Sequence, residues 1–326
     1  MIKSRTKYEA GQAEISSLFR AHGIGNVTGS TVLGDGEFNS AYKVTCEGGK
    51  DYVLKIAPPG EAAVLSYEKN MMDSEVYWYR KMKENTDILC PDIYAVDFSC
   101  SIIKSCCFIM QMMDGEPLWK CDFTPEEAER VRTEKIGMLA KIHGVKNDRY
   151  GYRQSGLYDS WYEALRSMAD RLVRDCKNIG YESPDGEEFI RLIDMHEDVL
   201  RDAPCRMVNF DLWDSNVLYD NGKLVWIDPE RGFWGDPVAD LITVGKGQKA
   251  PLSDKKKEID IYNRTAAEKI GLNRNTEIRY ACAVAYLALI EEVEKYVRYE
   301  PENPNYIRNT VDARDMYDMA FGVMRQ

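Results

Sequence analysis

The tripeptide Asp220-Asn221-Gly222 constrains what this chain can fold into more than any other feature of its sequence. Apolar Val217-Leu218 precede it and Leu224-Val225-Trp226-Ile227 follow it. Asn-Gly between two apolar runs specifies a β-hairpin, because a type I′ turn needs φ > 0 at both central positions. The returning strand then carries Asp228 back beside the loop that holds Asp211 and, five residues later, Asn216. Two carboxylates and an amide oxygen, all hard ligands, converge at one end of a small buried ribbon. Such a donor set suits Mg²⁺, which takes one or two carboxylates, keeps waters and shares phosphate oxygens. Lone Asp and Asn residues in loops are ordinarily caps or turn formers. That plainer reading explains each residue singly but not their order, their spacing and the apolar strands around them.

The first third of the chain is strand-rich. Thr31–Leu33, Ala41–Cys46 and Tyr52–Ile56 are β-type runs, separated by turns at Gly34-Asp35-Gly36 and Glu47-Gly48-Gly49. The spacing of Val64, Leu65, Met71, Met72, Val76, Tyr79 and Met82 predicts a helix over 61–85. A second strand pair follows, about 93–98 and 106–112. Asp114-Gly115-Glu116-Pro117 breaks the pattern and divides the chain into an expected N-terminal lobe, 1–113, and a C-terminal lobe, 114–326. Beyond the break the sequence turns helical. Thr124-Pro125-Glu126-Glu127 combines an N-cap, a proline at the first helical position and a capping glutamate. Further helices are predicted near 159–178, 187–201, 254–270 and 276–298. A chain of 326 residues can fill two such lobes.

The order of these segments resembles the aminoglycoside phosphotransferase and choline kinase-like family. Leu33-Gly34-Asp35-Gly36-Glu37-Phe38-Asn39-Ser40-Ala41-Tyr42-Lys43-Val44 looks like its nucleotide loop. Asp51-Tyr52-Val53-Leu54-Lys55-Ile56 is similar to its third strand, and Leu139-Ala140-Lys141-Ile142-His143 to the helix beneath its catalytic loop. Asp211-x4-Asn216, Ile227-Asp228-x-Glu230 and Gly235-Asp236-Pro237-x-x-Asp240 complete the order. The resemblance implies an α+β, bilobal, protein-kinase-like fold with a β-rich N-lobe and a helical C-lobe around an embedded catalytic hairpin. It implies a small-molecule kinase that uses Mg²⁺ with ATP or GTP as donor. Asp211 would be the catalytic base, and Asn216 with Asp228 the metal ligands. Gly34, Gly36, Asn39, Lys55, Glu75, Gln111 and Met113 would form the nucleotide site, Lys55 holding the α- and β-phosphates with Glu75 as its partner. Glu68 lies seven residues before Glu75 on roughly the same helical face and competes for that partnership.

Several residues carry a plainer expectation. His143 sits on an apolar helical stripe and reads as a hydrogen-bonded structural histidine. Asp236 and Asp240 read as braces of the catalytic loop or helix caps. Asn209 stands where the family usually has a scaffold histidine two residues before the base, and Pro229 fixes the backbone after Asp228. The gap from Asp228 to Asp240 is too short for a regulated activation segment, which favours a small molecule over a protein as acceptor. The family implies aminoglycosides first, with an antibiotic-resistance role, and choline, amino alcohols, sugars or macrolides as alternatives. A net charge of −11 argues against nucleic acid and favours a cationic acceptor. Trp161, Tyr162, Glu163, Glu291, Glu292 and Glu294 are candidates to line its pocket. A nucleotide-binding pseudokinase, a sensor or scaffold without transfer, is the alternative from another class, and Asn209 is its support. Nine cysteines in no paired framework, with no apolar span of membrane length, predict reduced thiols in a cytoplasmic protein.

Overall fold

The computed structural model describes residues 7–34 and 38–326. Helix α1 (Gln12–Ala21) precedes strands β1 (Val27–Leu33), β2 (Ser40–Cys46) and β3 (Asp51–Ile56). Helix α2 (Met71–Asn85), β4 (Ile93–Asp97) and β5 (Cys107–Gln111) follow, and the strands form one antiparallel sheet in the order β1-β2-β3-β5-β4. The sheet has two covered faces, and side chains alternate between them. Tyr42, Val44, Leu54, Ile56 and Ile109 pack with Ile15, Leu18 and Phe19 of α1 in a small core. Val53, Phe108 and Met110 face the other way, into a larger core shared with α2 and everything below it.

The expected helix over 61–85 is shorter than its hydrophobic spacing implied. It begins only at Met71, because Asn70 adopts a left-handed conformation (φ 60°) that a helix cannot contain. The stretch before it is pinned as turns. The Glu68 carboxylate accepts a hydrogen bond from the Leu65 amide (2.7 Å), and Ser66 donates to Asp175 through both its amide (2.7 Å) and its hydroxyl (2.6 Å).

The chain crosses from this sheet to the hairpin through Asp114 and Gly115. Gly115 has φ +109°, and a Cβ there would lie 2.8 Å from the carbonyl oxygen of Tyr219. A two-residue strand β6 (Glu116–Pro117) then pairs with the hairpin. Four helices come next: α3 (Pro125–Ile142), capped as expected by Thr124 and Glu127, α4 (Trp161–Asn178), α5 (Pro184–Met195) and α6 (Glu197–Arg201). The last two replace a single helix expected over 187–201; the interruption falls at His196, whose Nε2 bonds the Met324 carbonyl (2.7 Å). Strand β7 (Arg206–Val208) leads to the hairpin strands β8 (Val217–Asp220) and β9 (Lys223–Trp226). Their register pairs Asp220 with Lys223 across a two-residue turn in which Asn221 (φ 46°) and Gly222 (φ 89°) are both left-handed. Strand β10 (Phe233–Gly235) pairs back with β7.

Helices α7 (Lys256–Thr265), α8 (Arg274–Arg298) and α9 (Pro304–Met324) complete the described chain. Helix α9 is not among the expected helices, although its start is signalled by Asn303, which caps the Asn305 amide (2.9 Å), and by Pro304 in the first turn. Its buried stripe, Ala313, Met316, Tyr317, Ala320, Phe321 and Met324, has helical spacing and packs on α8. Trp226 and Val217 of the hairpin lie in the same core as Trp78 of α2 and Tyr286 of α8, so one apolar mass runs beneath both lobes. Among the described residues no helix is long and apolar enough to cross a membrane.

Candidate active site

The loop between β7 and β8 is built around one buried carboxylate. Asp240 accepts hydrogen bonds from the backbone amides of Asn209 (2.9 Å) and Phe210 (2.5 Å) and contacts His143 Nε2 at 2.9 Å. The other ring nitrogen of His143 lies 3.0 Å from the Tyr262 hydroxyl. These contacts hold Phe210 at φ 62°, a conformation a bulky residue adopts only when its surroundings impose it. Asn209 continues the brace, since its side-chain oxygen accepts from the Asp211 amide (2.7 Å). Replacing Asp240 by Ala is expected to lower unfolding stability by about 3–5 kcal/mol, at about 1–3 kcal/mol per orphaned buried donor. Urea denaturation measures this, and a loss below about 1 kcal/mol would show that the loop keeps its shape without the brace.

Asp211 stands at the end of that brace. Asn216 donates through Nδ2 to both the backbone oxygen (2.9 Å) and the Oδ2 (2.8 Å) of Asp211, so carboxylate and amide form one unit. Folding of the hairpin closes the group, because the Ile227 amide donates to the Asn216 carbonyl (3.0 Å) and the Asp228 amide to the Tyr79 hydroxyl (2.8 Å). Asp228 also has positive φ (60°). Gly232, four residues on, allows the Trp78 indole to lie against the backbone; a Cβ there would meet the ring at 2.7 Å. Burial pushes the Asp211 carboxyl up to about 7; the Arg231 guanidinium opposes this, and Asp228 and Glu294 add to it.

Lys55 is enclosed by carboxylates. Its Nζ lies 2.7 Å from Glu75, 2.7 Å from Asp228 and 4.0 Å from Glu230. Burial alone would pull the Lys55 ammonium down, but Asp228, Glu75 and Glu230 together hold it well above its ordinary value. Glu68, the competing partner, instead pairs with Arg298. Asn39 donates to Glu230 (2.8 Å), and burial followed by the charge of Asp228 drives the Glu230 carboxyl upward. Oxygens of Glu75, Asp228 and Glu230 lie within 4.8 Å of one another, three acids sharing one ammonium.

This donor set fits a divalent cation. The excess of negative charge around Lys55 would be relieved by one. Asp228 bonds Lys55 through a single carboxylate oxygen and keeps 34% of its side chain exposed. Asn216 has both amide hydrogens directed at Asp211, so its oxygen, met only by a long contact from the Ser215 hydroxyl (3.4 Å), could serve as a ligand atom.

All of these groups line one cavity of about 930 Å³. Leu33, Gly34, Ala41, Val53, Met110, Met112, Met113, Leu218 and Ile227 make its apolar end, with Asn39, Lys55 and Gln111 beside them. Of the other expected nucleotide residues, Glu75 lies behind Lys55, and Gly36 lies outside the described residues. The opposite end is walled by α8 and α9, through Leu287, Glu291, Glu294, Arg298, Arg308, Asn309 and Asp312. Glu294 is tied to Arg231 (2.9 Å), Arg298 (3.1 Å) and the Tyr67 hydroxyl.

Four expected pocket residues are placed elsewhere. Trp161 is buried and stacks on Phe233, Tyr162 bonds Asp194 (2.9 Å), and Glu163 pairs with Arg201 (3.1 Å). Glu292 holds Ser183 (2.9 Å) and Tyr317 (2.9 Å). Hydrophobic periodicity marks a helix's buried face but not whether that face meets a core or a cleft. Conversely, the sequence does not single out Arg231, partly buried 3.8 Å from Asp211, or the α9 wall. Arg231 adjoins Glu230 in the chain, but no spacing rule singles out an arginine there.

A model of the phosphotransferase enzyme family matches residues 30–254. Solved structures resemble the chain over nearly its whole length. One is a Ralstonia eutropha JMP134 protein provisionally named aminoglycoside phosphotransferase, with 17% identity, 97% of this chain and 98% of that one covered, and a TM-score of 0.66. Another, from Thermobifida fusca YX-ER1, is provisionally named fructosamine-3-kinase, with 18% identity, 97% and 100% covered, and a TM-score of 0.64. A third is the ternary complex of streptomycin, ATP and APH(2″)-IIa, with 15% identity, 95% and 99% covered, and a TM-score of 0.61. At these identities the likeness is one of fold, the bilobal kinase-like arrangement described above. No curated protein matches the chain in sequence.

Proposed function

The chain belongs to the phosphotransferase enzyme family, and from that premise we propose that it transfers the γ-phosphoryl group of ATP to a hydroxyl of a small molecule. The observation that carries this reading is the shared cavity, which joins Lys55, Asp211, Asn216 and Asp228 to an apolar recess at one end and a charged wall at the other. The recess, formed by Val53, Ala41, Met110 and Ile227, suits a purine. Lys55 points its ammonium at the level where phosphates would enter, and Glu75 fixes it there (2.7 Å). Asp211 accepts the proton of the acceptor hydroxyl as that oxygen bonds to the γ-phosphorus. The bond from phosphorus to the bridging oxygen breaks, and its electron pair leaves with the diphosphate. Asn216 and Asp228 would hold Mg²⁺, which when bound neutralises charge on the phosphate oxygens.

A pseudokinase finds no support beyond the identity of Asn209. Its side chain braces the Asp211 amide (2.7 Å), and Lys55, Asp211, Asn216 and Asp228 are all retained. The test follows ADP release from ATP across a panel containing an aminoglycoside, choline, sugars and hydroxylated amino acids, with and without EDTA. Acceptor-dependent release that EDTA abolishes is the expected result. Failure to bind ATP in the presence of Mg²⁺ would overturn the reading.

A further inference from the structure

The acceptor end of the cavity is unusual in its charge balance once internal pairs are removed. Glu294 is saturated by Arg231, Arg298 and Tyr67. Asp312 is paired with Lys249 at 2.6 Å. Two lining charges remain without an ion pair among the described residues: Glu291 on α8 and Arg308 on α9. Glu291 keeps a buried carboxylate oxygen, Oε2, that no hydrogen-bond donor reaches. A buried charged acceptor without a partner is costly, so its persistence marks a group whose partner arrives from outside. Burial, then Asp312 and Glu294, push the Glu291 carboxyl up to about 7, against the pull of Arg231 and Arg308. Arg308 is exposed at the rim and acts on the charge of Glu291, yet the two are not joined.

Resting on the phosphotransfer reading of this cleft, we propose that the acceptor is a zwitterion: a hydroxyl compound whose ammonium group is received by Glu291 and whose carboxylate is received by Arg308. A polycation would meet the unpaired guanidinium of Arg308 on the same wall. A plain anion would meet Glu291 with nothing to neutralise it. A molecule with one charge of each sign completes both unpaired groups and leaves its hydroxyl for Asp211. The chemistry is the transfer already written, with the hydroxyl proton going to Asp211 and the diphosphate leaving.

The experiment uses three matched sets of acceptors with ATP and Mg²⁺. L-serine, L-homoserine and 5-hydroxynorvaline carry both charges; the amino alcohols of the same lengths lack the acid, and the corresponding hydroxy acids lack the amine. Kanamycin is the polycation. Turnover is expected to be highest in the zwitterionic set. Glu291→Gln should raise KM for the zwitterion about tenfold, the worth of one charge-assisted hydrogen bond, and shrink its advantage over the hydroxy acid. Arg308→Gln, at an exposed position that folding tolerates, should shrink the advantage over the amino alcohol. Preference for kanamycin, an amino alcohol or a hydroxy acid overturns the zwitterion and leaves phosphotransfer standing. Equal loss on all acceptors in both variants overturns it as well. Silence of every acceptor also overturns the zwitterion, and if Mg²⁺-dependent ATP binding is absent too, the phosphotransfer reading falls with it.

Discussion

Asp211→Asn is expected to lower kcat by about 10²–10⁴-fold, the range a positioned general base supplies. The substitution is nearly isosteric. An asparagine oxygen still accepts from Asn216 Nδ2, which now lies 2.8 Å from Oδ2, and the backbone contacts of the loop do not involve the side chain. What disappears is the charge and the ability to take a proton. Titration calorimetry with ATP and Mg²⁺ should therefore give a Kd within a few-fold of the parent while turnover collapses. A kcat within tenfold of the parent would remove Asp211 from the role of base. Loss of nucleotide affinity together with turnover would make it a metal-site residue instead.

Lys55→Met is expected to abolish measurable transfer and also to destabilise the fold. Its ammonium is the counter-ion of Glu75, whose side chain is fully buried, and removing one member of a buried pair costs about 3–5 kcal/mol. The two effects separate in the double variant Lys55→Met with Glu75→Met. Replacing both partners by apolar groups of similar size should restore most of the lost stability, measured by urea denaturation, and none of the activity. If the single variant keeps both its stability and its turnover, the enclosure of Lys55 by Glu75, Asp228 and Glu230 has no bearing on either.

What could be read from residues alone divides along the range of the interactions. The hairpin at Asn221-Gly222 is a local event, decided by which residues tolerate positive φ, and it carries Asp228 back to Asp211 and Asn216 without help from distant chain. The choice between Glu75 and Glu68 is different. Both would share one face if 61–85 were a single regular helix; the left-handed residue Asn70 instead starts the helix after Glu68, which lies in a turn tied to Arg298 beside the Ser66 anchor to Asp175. Asn209 was legible both as a departure and as a residue able to hold the loop, but not its anchor, because its own amide is fixed by Asp240, thirty-one residues away. The acceptor wall was the least legible part. Trp161, Tyr162 and Glu163 have the composition of a sugar pocket but face a core and the surface. The α9 helix that supplies Arg308 has a start signal and a periodic stripe, but neither says that it borders a cleft. Which helices border a cleft is decided by how they stack, and a single sequence carries little of that.

The turn before α2 is moored to the C-lobe at two places, by Ser66 to Asp175 and by Glu68 to Arg298, and Arg298 in turn meets Glu294, which grips Arg231 beside Asp211. Swinging the lobes apart would strip the buried Glu68 carboxylate of Arg298 and Asp175 of both its Ser66 donors at once. Widening the cleft between Lys55 and the α8–α9 wall therefore carries an electrostatic cost, and these tethers act as a hinge stop.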